Sequence, residues 1–301
     1  MSWLQLRITT SSDQIEELER ALLDAGSLSV TLLDAKDSPI YQEEPDATPI
    51  WQQVEVCSLF HDTVLMQPIM QQIQSSHPEN SPLSMRVETV QDQDWERAWM
   101  DSYHAMRFGH RLWICPTDAP APEQPDATVI RLDPGLAFGT GTHPTTALCL
   151  EWLDGQLLQN KCVIDYGCGS GVLAVAAVLL GAAQVIAVDN DPQALTATSQ
   201  NRERNGIDPA RLQCLSPEQL RASAAPLQAD VLLANILAGP LQQLAPELAH
   251  LVAPEGKLVL SGLLMDQSES VIGSYDSWFD FEPLAERDNW IRLSAIRRYI
   301  P

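Results

Sequence analysis

One stretch of the chain restricts its fold more than any other. An apolar run at 163–166 is followed by three alternating glycines, and the next nine residues are compatible with a helix. A second run at 185–189, rich in β-branched residues, ends in Asp189. This order of strand, glycine turn, helix and strand predicts one βαβ unit of a parallel sheet. The glycine turn, Asp165 in the first strand and Asp189 should then face the same crevice.

The glycine turn predicts a nucleoside-bearing ligand. Gly167, Gly169 and Gly171 let a ligand approach the backbone where a Cβ would collide. Free N–H groups at the start of the following helix favour an acceptor or a negative group. Asp189 lies 22 residues after Gly167, at the tip of the next strand, where a carboxylate can accept both ribose hydroxyl protons.

Spacing alone does not exclude a dinucleotide, because counting from Gly169 places the tolerated Ala174 at the sixth position. The acid before the glycines favours a different cofactor. The pattern D-x-G-x-G-x-G, which starts at Asp165, resembles the first motif of class I S-adenosylmethionine-dependent methyltransferases. The resemblance implies that Asp165 lies near the ammonium group of the cofactor and that Asp189 holds its ribose.

Length and composition limit the possible settings of the protein. A chain of 301 residues predicts two domains. It contains six scattered cysteines without a C-x-x-C pair, no signal pattern and no apolar run of 18 residues. We therefore expect a cytoplasmic protein with reduced thiols, no membrane contact and no metal site.

The charge of the chain bears on its partners. The formal net charge is −22, from 18 basic and 40 acidic residues, which disfavours direct nucleic-acid readout and would attract a basic protein. An acidic surface also simply keeps a cytosolic protein soluble, so the charge alone does not decide between these interpretations.

The first 90 residues predict a small domain of their own. Alternating and helical patterns follow one another in the order βαββαβ, which is the order of the ferredoxin-like module. Residues 1–90 carry 4 basic and 14 acidic residues, so we expect a substrate-recognition domain, with an oligomerisation or packing domain as the alternative. Residues 91–108 have a helical pattern and are predicted to form a connecting helix before the second domain, 109–301.

A second loop is predicted to reach the same pocket. Residues 133–146 contain three glycines and four threonines, which supply many backbone and hydroxyl donors, and Pro144 suits the first turn of a helix that continues to Leu153. Phe138 and His143 would be unusual in a simple linker. Because this loop precedes the glycine turn by about 20 residues, it can fold over the cofactor pocket.

Three motifs together resemble one family. The segments A-F-G-T-G-T-H-P-T-T, D-Y-G-C-G-S-G and A-N-I-L-A are similar to those of the bacterial ribosomal protein L11 methyltransferases (PrmA type), and the similarity covers essentially the whole chain. The resemblance implies a Rossmann-like class I methyltransferase domain with a mostly parallel seven-stranded sheet, beside the α+β ferredoxin-like domain. It also implies methylation of lysine side chains and of the N-terminal amine on that ribosomal protein, by a monomeric enzyme.

The same resemblance implies a set of cofactor contacts, residue by residue: Phe138, Gly139, Thr145, Thr146, Asp165, Gly167, Gly169, Gly171, Asp189 and Asn235. Many class I enzymes also place an acid after the third strand, for the adenine amine. The nearest acid here is Glu218, and the adenine contact stays unassigned.

Asn235 is the predicted catalytic residue. Methyl transfer needs a neutral amine, and the Asn235 side-chain carbonyl, with the backbone carbonyls of 235 and 236, can accept an amine N–H and aim its lone pair. Ile236 and Leu237 replace the prolines of the N-P-P-Y motif of amine and adenine methyltransferases, so stacking on a nucleobase is not supported. His143 as a proton acceptor is a less favoured alternative to a role in capping the loop or touching the cofactor.

Two other functions are left open by the residues. One is a methyltransferase of ribosomal or transfer RNA, against which stand the net charge and the presence of only three lysines. The other is a non-enzymatic nucleoside-binding module whose N-terminal domain acts as an adaptor.

Overall fold

The computed structural model describes residues 2–36, 50–76, 83–91, 104–133, 143–222 and 228–299. The chain divides into two compact units, Met1–Ala98 and Trp99–Pro301. In the described part of the chain, no helix is long and apolar enough to cross a membrane.

The first unit contains the four strands and two helices that the patterns predict. In chain order they are β1 Ser2–Ser11, α1 Ile15–Asp24, β2 Ser29–Asp34, β3 Gln53–His61, α2 Met66–Ser76 and β4 Ser84–Gln91. All pairings are antiparallel, and the sheet order is β2-β3-β1-β4. Fully buried side chains from one face of the sheet, such as Leu6 and Val56, pack with Leu18 and Ile73 of the two helices. The βαββαβ order of the ferredoxin-like module is therefore confirmed.

The connecting helix predicted for 91–108 is wrong at both ends. Gln91 closes β4, and β5, Met106–Phe108, is a strand; residues 92–103 lie outside the described residues. Met106–Phe108 pairs antiparallel with β6, Leu112–Cys115, across a turn at Gly109. The backbone N–H of His110 in this turn donates to Asp154 Oδ2 at 2.6 Å, so a distant carboxylate stabilises the hairpin that replaces the helix end.

β6 also pairs in parallel with β7, Thr128–Arg131. The remaining strands of the second unit form its large sheet: β8 Cys162–Tyr166, β9 Gln184–Val188, β10 Leu212–Leu215, β11 Ala229–Asn235, β12 Val252–Leu264, β13 Phe279–Phe281, β14 Ala285–Arg287 and β15 Trp290–Arg297.

The large sheet has the order β10-β9-β8-β11-β12-β15-β13, with β14 added along β15. Strands β8 to β12 are parallel, and β15 is antiparallel to β12. The chain proceeds outward from β8 in one direction and resumes at β11 in the other, so the topological switch point lies between these two strands. In an open parallel sheet, ligands bind at the carboxyl ends of the strands at such a point. The prediction of a mostly parallel sheet is confirmed, but the sheet has eight strands and not seven, because β14 pairs with β15.

Seven helices of the described chain belong to this unit: α3 Pro144–Asp154, α4 Val172–Leu179, α5 Pro192–Arg204, α6 Pro217–Arg221, α7 Ala238–Gln243, α8 Ala245–Leu251 and α9 Ser268–Tyr275. α7 and α8 are separate helices; Pro246 lies in the first turn of α8, where proline ends one helix and begins another. Two buried apolar clusters lie among these helices and strands, and the all-apolar α4 belongs to one of them.

Candidate functional site

The glycine turn connects β8 to α4 at the switch point of the sheet. Gly167, Gly169 and Gly171 have φ angles of +77°, +53° and +76°, a left-handed region that side chains rarely tolerate. The N–H groups of Gly167 and Cys168 donate to the Val188 carbonyl at 2.7 and 3.0 Å. The turn is therefore held against the end of β9.

Asp165 is a buried acid with one unused oxygen. It lies one residue before the end of β8 and is 1% exposed. Its Oδ2 accepts the N–H of Ala174 at 3.0 Å, whereas Oδ1 is buried and has no hydrogen-bond partner among the described residues. The pKa of Asp165 is raised to about 7, mainly by burial; the Ala174 amide opposes this rise, and the charge of Asp189 adds a smaller raising effect. A buried acceptor of this kind calls for a donor, and a cationic one would satisfy both the oxygen and the charge.

Asp189 follows β9 and fastens the turn. Its Oδ2 accepts the N–H of Gly169 at 2.9 Å, and its Oδ1 accepts the N–H of Asp191 at 3.0 Å. Each carboxylate oxygen has a second lone pair, so the half-buried group can still accept hydrogen bonds from a diol.

Two residues that support the turn were not predicted from the sequence. Thr198, fully buried on α5, donates from Oγ1 to the Gly169 carbonyl at 3.1 Å. Asn201 donates from Nδ2 to the Ser170 carbonyl at 2.8 Å. Their three-residue spacing on one helix face is the only signal in the sequence, and it does not say what that face touches.

The second loop is described from His143 onward, so Phe138 and Gly139 lie outside the described residues. His143 is the N-cap of α3: its Nδ1 accepts the N–H of Thr145 at 3.3 Å and lies 2.8 Å from Thr145 Oγ1. Burial lowers the pKa of His143, and its ring meets the edge of Trp290 with 4.8 Å between centroids. The capping role is one of the roles that the sequence favours over proton transfer.

Asn235 and Thr146 come together although 89 residues separate them. Asn235 ends β11 beside the switch point, and its Nδ2 donates to Thr146 Oγ1 at 3.3 Å. Thr145 and Thr146 are buried in the first turn of α3. Because the amide nitrogen faces Thr146, the side-chain oxygen of Asn235 is directed away from it, as an amine acceptor would need to be.

Glu218, the acid that follows β10 most closely, makes contacts within its own helix start. Glu218 lies in the first turn of α6, and its Oε2 accepts the hydroxyl of Ser216 at 2.8 Å. Ser216 in turn forms a capping box with Gln219. This geometry accounts for Glu218 as part of a helix start.

Comparisons with known proteins agree with one another. The family model described as Ribosomal protein L11 methyltransferase (PrmA) matches residues 2–298. A protein of that name from Pseudomonas aeruginosa (strain LESB58) is 52% identical, with 99% of each chain covered, and another from Azotobacter vinelandii is 49% identical, covering 99% of this chain and 100% of the relative. A crystal structure of ribosomal protein L11 methylase from Lactobacillus delbrueckii subsp. bulgaricus superimposes with a TM-score of 0.59 at 32% identity, over 65% of this chain and 100% of that one.

Proposed function

Because this chain belongs to the ribosomal protein L11 methyltransferase family, which is S-adenosylmethionine-dependent, we propose that it methylates lysine side chains and the N-terminal amine of ribosomal protein L11. One observation supports this proposal above the others: a buried carboxyl oxygen of Asp165 without a described partner, beside a glycine turn at the switch point of the sheet. A cofactor with both an ammonium group and a ribose fits this arrangement.

The chain's own residues supply the binding groups. Asp165 receives the ammonium group and Asp189 the ribose hydroxyls. The three glycines supply the left-handed backbone of the turn, and the side chains of Ile236 and Thr198 lie against Gly167 and Gly171. When bound, S-adenosylmethionine supplies a methyl group on a positively charged sulfur, which leaves as a neutral sulfide. The proposal completes the contact set with residues of the second loop and of the end of β11: Phe138, Gly139, Thr145, Thr146 and Asn235.

Asn235 positions the accepting amine. A lysine amine has a reference pKa of about 10.4, so it must lose a proton before its lone pair can attack. A carboxylate beside the amine would hold it protonated, whereas the neutral Asn235 oxygen accepts one N–H and stabilises the ammonium form much less than a carboxylate would. The proton leaves to solvent, and the side chain, held by Thr146, aims the lone pair.

The N-terminal unit is proposed to dock the substrate protein. Residues 1–90 contain 4 basic and 14 acidic residues, so a basic surface would be attracted to them. We propose that the enzyme acts as a cytoplasmic monomer, without direct reading of nucleic acid, and that residues 109–301 carry the methyl transfer.

Tritiated methyl transfer tests this function. Purified protein, labelled S-adenosylmethionine and ribosomal protein L11 should give label in the protein, unchanged by ribonuclease, and mass mapping should place it on amino groups. Label that disappears with ribonuclease would favour the RNA methyltransferase, and no label with clear S-adenosylhomocysteine binding would favour the adaptor. Asn235→Ala should lose most of the turnover while leaving cofactor binding partly intact; unchanged turnover would remove Asn235 from the mechanism.

A further inference from the structure

A β-bulge lies beside the proposed amine site. Ser261 pairs with Arg292 and Leu263 with Ile291, so Gly262 is an extra residue on β12. Its φ of +87° is left-handed, as in bulges whose first residue is a glycine. On the opposite side of β12, Ser261 is in register with Asn235 of β11. The bulge therefore lies directly across from the residue that follows Asn235.

The bulge admits the backbone of Ile236. A Cβ built on Gly262 would lie 2.7 Å from the carbonyl carbon of Ile236 and 3.0 Å from its nitrogen, and nearer still to its carbonyl oxygen. A real Cβ essentially never lies closer than 3.0 Å to a non-bonded heavy atom, so the Ile236 carbonyl would have to move. All three atoms are backbone, so no rotation of a side chain could relieve them.

The other flanking strand receives the side chain of the same residue. Ala234 is in register with Tyr166 of β8, and a Cβ on Gly167 would overlap Cγ2 of Ile236. Ile236 is therefore held between two glycines: its backbone lies against Gly262 and its side chain lies against Gly167. These two contacts determine where the backbone lies, relative to β8 and β12, after Asn235.

We propose that Gly262 is a positioning residue for methyl transfer. Its bulge sets the position, relative to β12, of the Asn235 and Ile236 backbone that receives the amine. The inference rests on the proposed function, since it assumes that the substrate amine donates an N–H to Asn235 when it receives the methyl group. A displacement of about 1 Å at such a group is enough to lower a rate about 100-fold. Among the described residues, the three atoms nearest to a Cβ at Gly262 are backbone atoms of Ile236, so Gly262 acts through the chain that follows Asn235.

Gly262→Ala tests the proposal. We expect kcat to fall about 100-fold, as for a misplaced reacting group, with the Kd for S-adenosylhomocysteine changed less than about threefold. A crystal structure of the variant should show the Ile236 carbonyl displaced away from residue 262. Wild-type turnover, or an unmoved Ile236 carbonyl, would overturn the proposal.

Gly206→Ala is the matched control. Gly206 also has a left-handed φ, +63°, but nothing lies within 4 Å of its missing Cβ. It should lose stability from the strained backbone alone and keep its kcat. An equal loss of kcat in both variants would mean that strain, not position, is responsible, and would contradict the proposal.

Ile236→Ala decides the matter if Gly262→Ala does not fold. This variant removes the contact with Gly167 and leaves the bulge intact, and kcat should fall about tenfold with S-adenosylhomocysteine binding preserved. Unchanged kcat here would reject the positioning model. Asn235→Ala separates the two proposals: if it alone loses turnover, only the role of Gly262 fails. If it is fully active, Asn235 leaves the mechanism and the role of Gly262 fails with it, whereas methylation itself is decided by the labelling assay.

Discussion

The ends of β8 and β9 carry the same residue type on neighbouring parallel strands, yet the two acids differ. Asp165 is buried in the centre of the sheet, one of its oxygens has no described partner, and burial raises its pKa to about 7. Asp189 is half-buried, and both of its oxygens accept backbone N–H groups. The difference teaches that burial, and not residue type, decides which acid has an oxygen without a described partner: Asp189 bonds the turn, and we propose that Asp165 bonds a ligand.

The largest effect should come from Asp189→Ala. This change removes the acceptor of the Gly169 N–H and the proposed ribose partner together, and each hydrogen bond to a charged group contributes about 1.5–3 kcal/mol. We expect calorimetry to show S-adenosylhomocysteine affinity reduced about 100-fold, since about 2.7 kcal/mol corresponds to that factor. Asp208→Ala is the control, because Asp208 also accepts a backbone N–H in an exposed turn, at 2.8 Å from Ala210. An Asp189→Ala affinity no weaker than that of the control would erase the contrast between the acids.

Asp165→Asn should reduce affinity less than Asp189→Ala does, and it should not destabilise the ligand-free protein. Near pH 7 about half of the Asp165 carboxyls are ionised in the free protein, so replacing them should reduce S-adenosylhomocysteine affinity only about tenfold. The variant no longer buries a charge, so the ligand-free protein should unfold at an equal or higher temperature at pH 8. Thermal scans with and without ligand measure both quantities. A lower melting temperature in the ligand-free variant would show that the Asp165 charge is satisfied by the protein itself.

The pH dependence follows from the same raised pKa. The folded value of about 7 lies above the ordinary value of 3.8, so the native state binds more protons between pH 4 and 7. The contribution of Asp165 to stability is therefore fully present below pH 4 and is lost as the pH rises through 7. A cationic ligand favours the ionised form, so affinity should rise from pH 6 to 8, by up to about tenfold per unit below pH 7. Calorimetry in two buffers should detect proton release, and persistence of this release in Asp165→Asn would assign it to another group.

The smallest effect should come from Thr198→Val. The change keeps the shape of the side chain and removes the hydroxyl that donates to the Gly169 carbonyl and lies 3.3 Å from Cys168 Sγ. The loss of the bond to Gly169 costs about 1 kcal/mol. S-adenosylhomocysteine affinity should fall about threefold to fivefold, through the turn and not through a direct contact. Thr196→Val, on the exposed side of the same helix, removes a hydroxyl bond to the Pro192 carbonyl and should leave affinity unchanged. Equal effects of the two changes would mean that Thr198 does not support the turn.

Local patterns predicted most of the fold. The glycine turn, Pro144 at the start of α3 and the alternating runs of the N-terminal unit mark element boundaries within a few residues, because turns and caps depend on neighbours in the chain. The predicted end of the connecting helix failed where pairing of 106–108 with 112–114, and the bond from His110 to Asp154, outweighed the local helical pattern. Such pairing is not visible in a periodic pattern.

The candidate site divides in the same way. The sequence by itself determined which residues stand at the strand ends, among them Asp165, Asp189 and Asn235, because strand length and glycine spacing are local properties. Only the tertiary structure decided that Asp165 is buried with one oxygen that has no hydrogen-bond partner among the described residues. It also decided that Thr198 lies beneath the turn and that the Ile236 backbone packs against Gly262. Burial, and close contact between segments far apart in the chain, depend on what packs against each group, and that is a property of the assembled sheet and its helices.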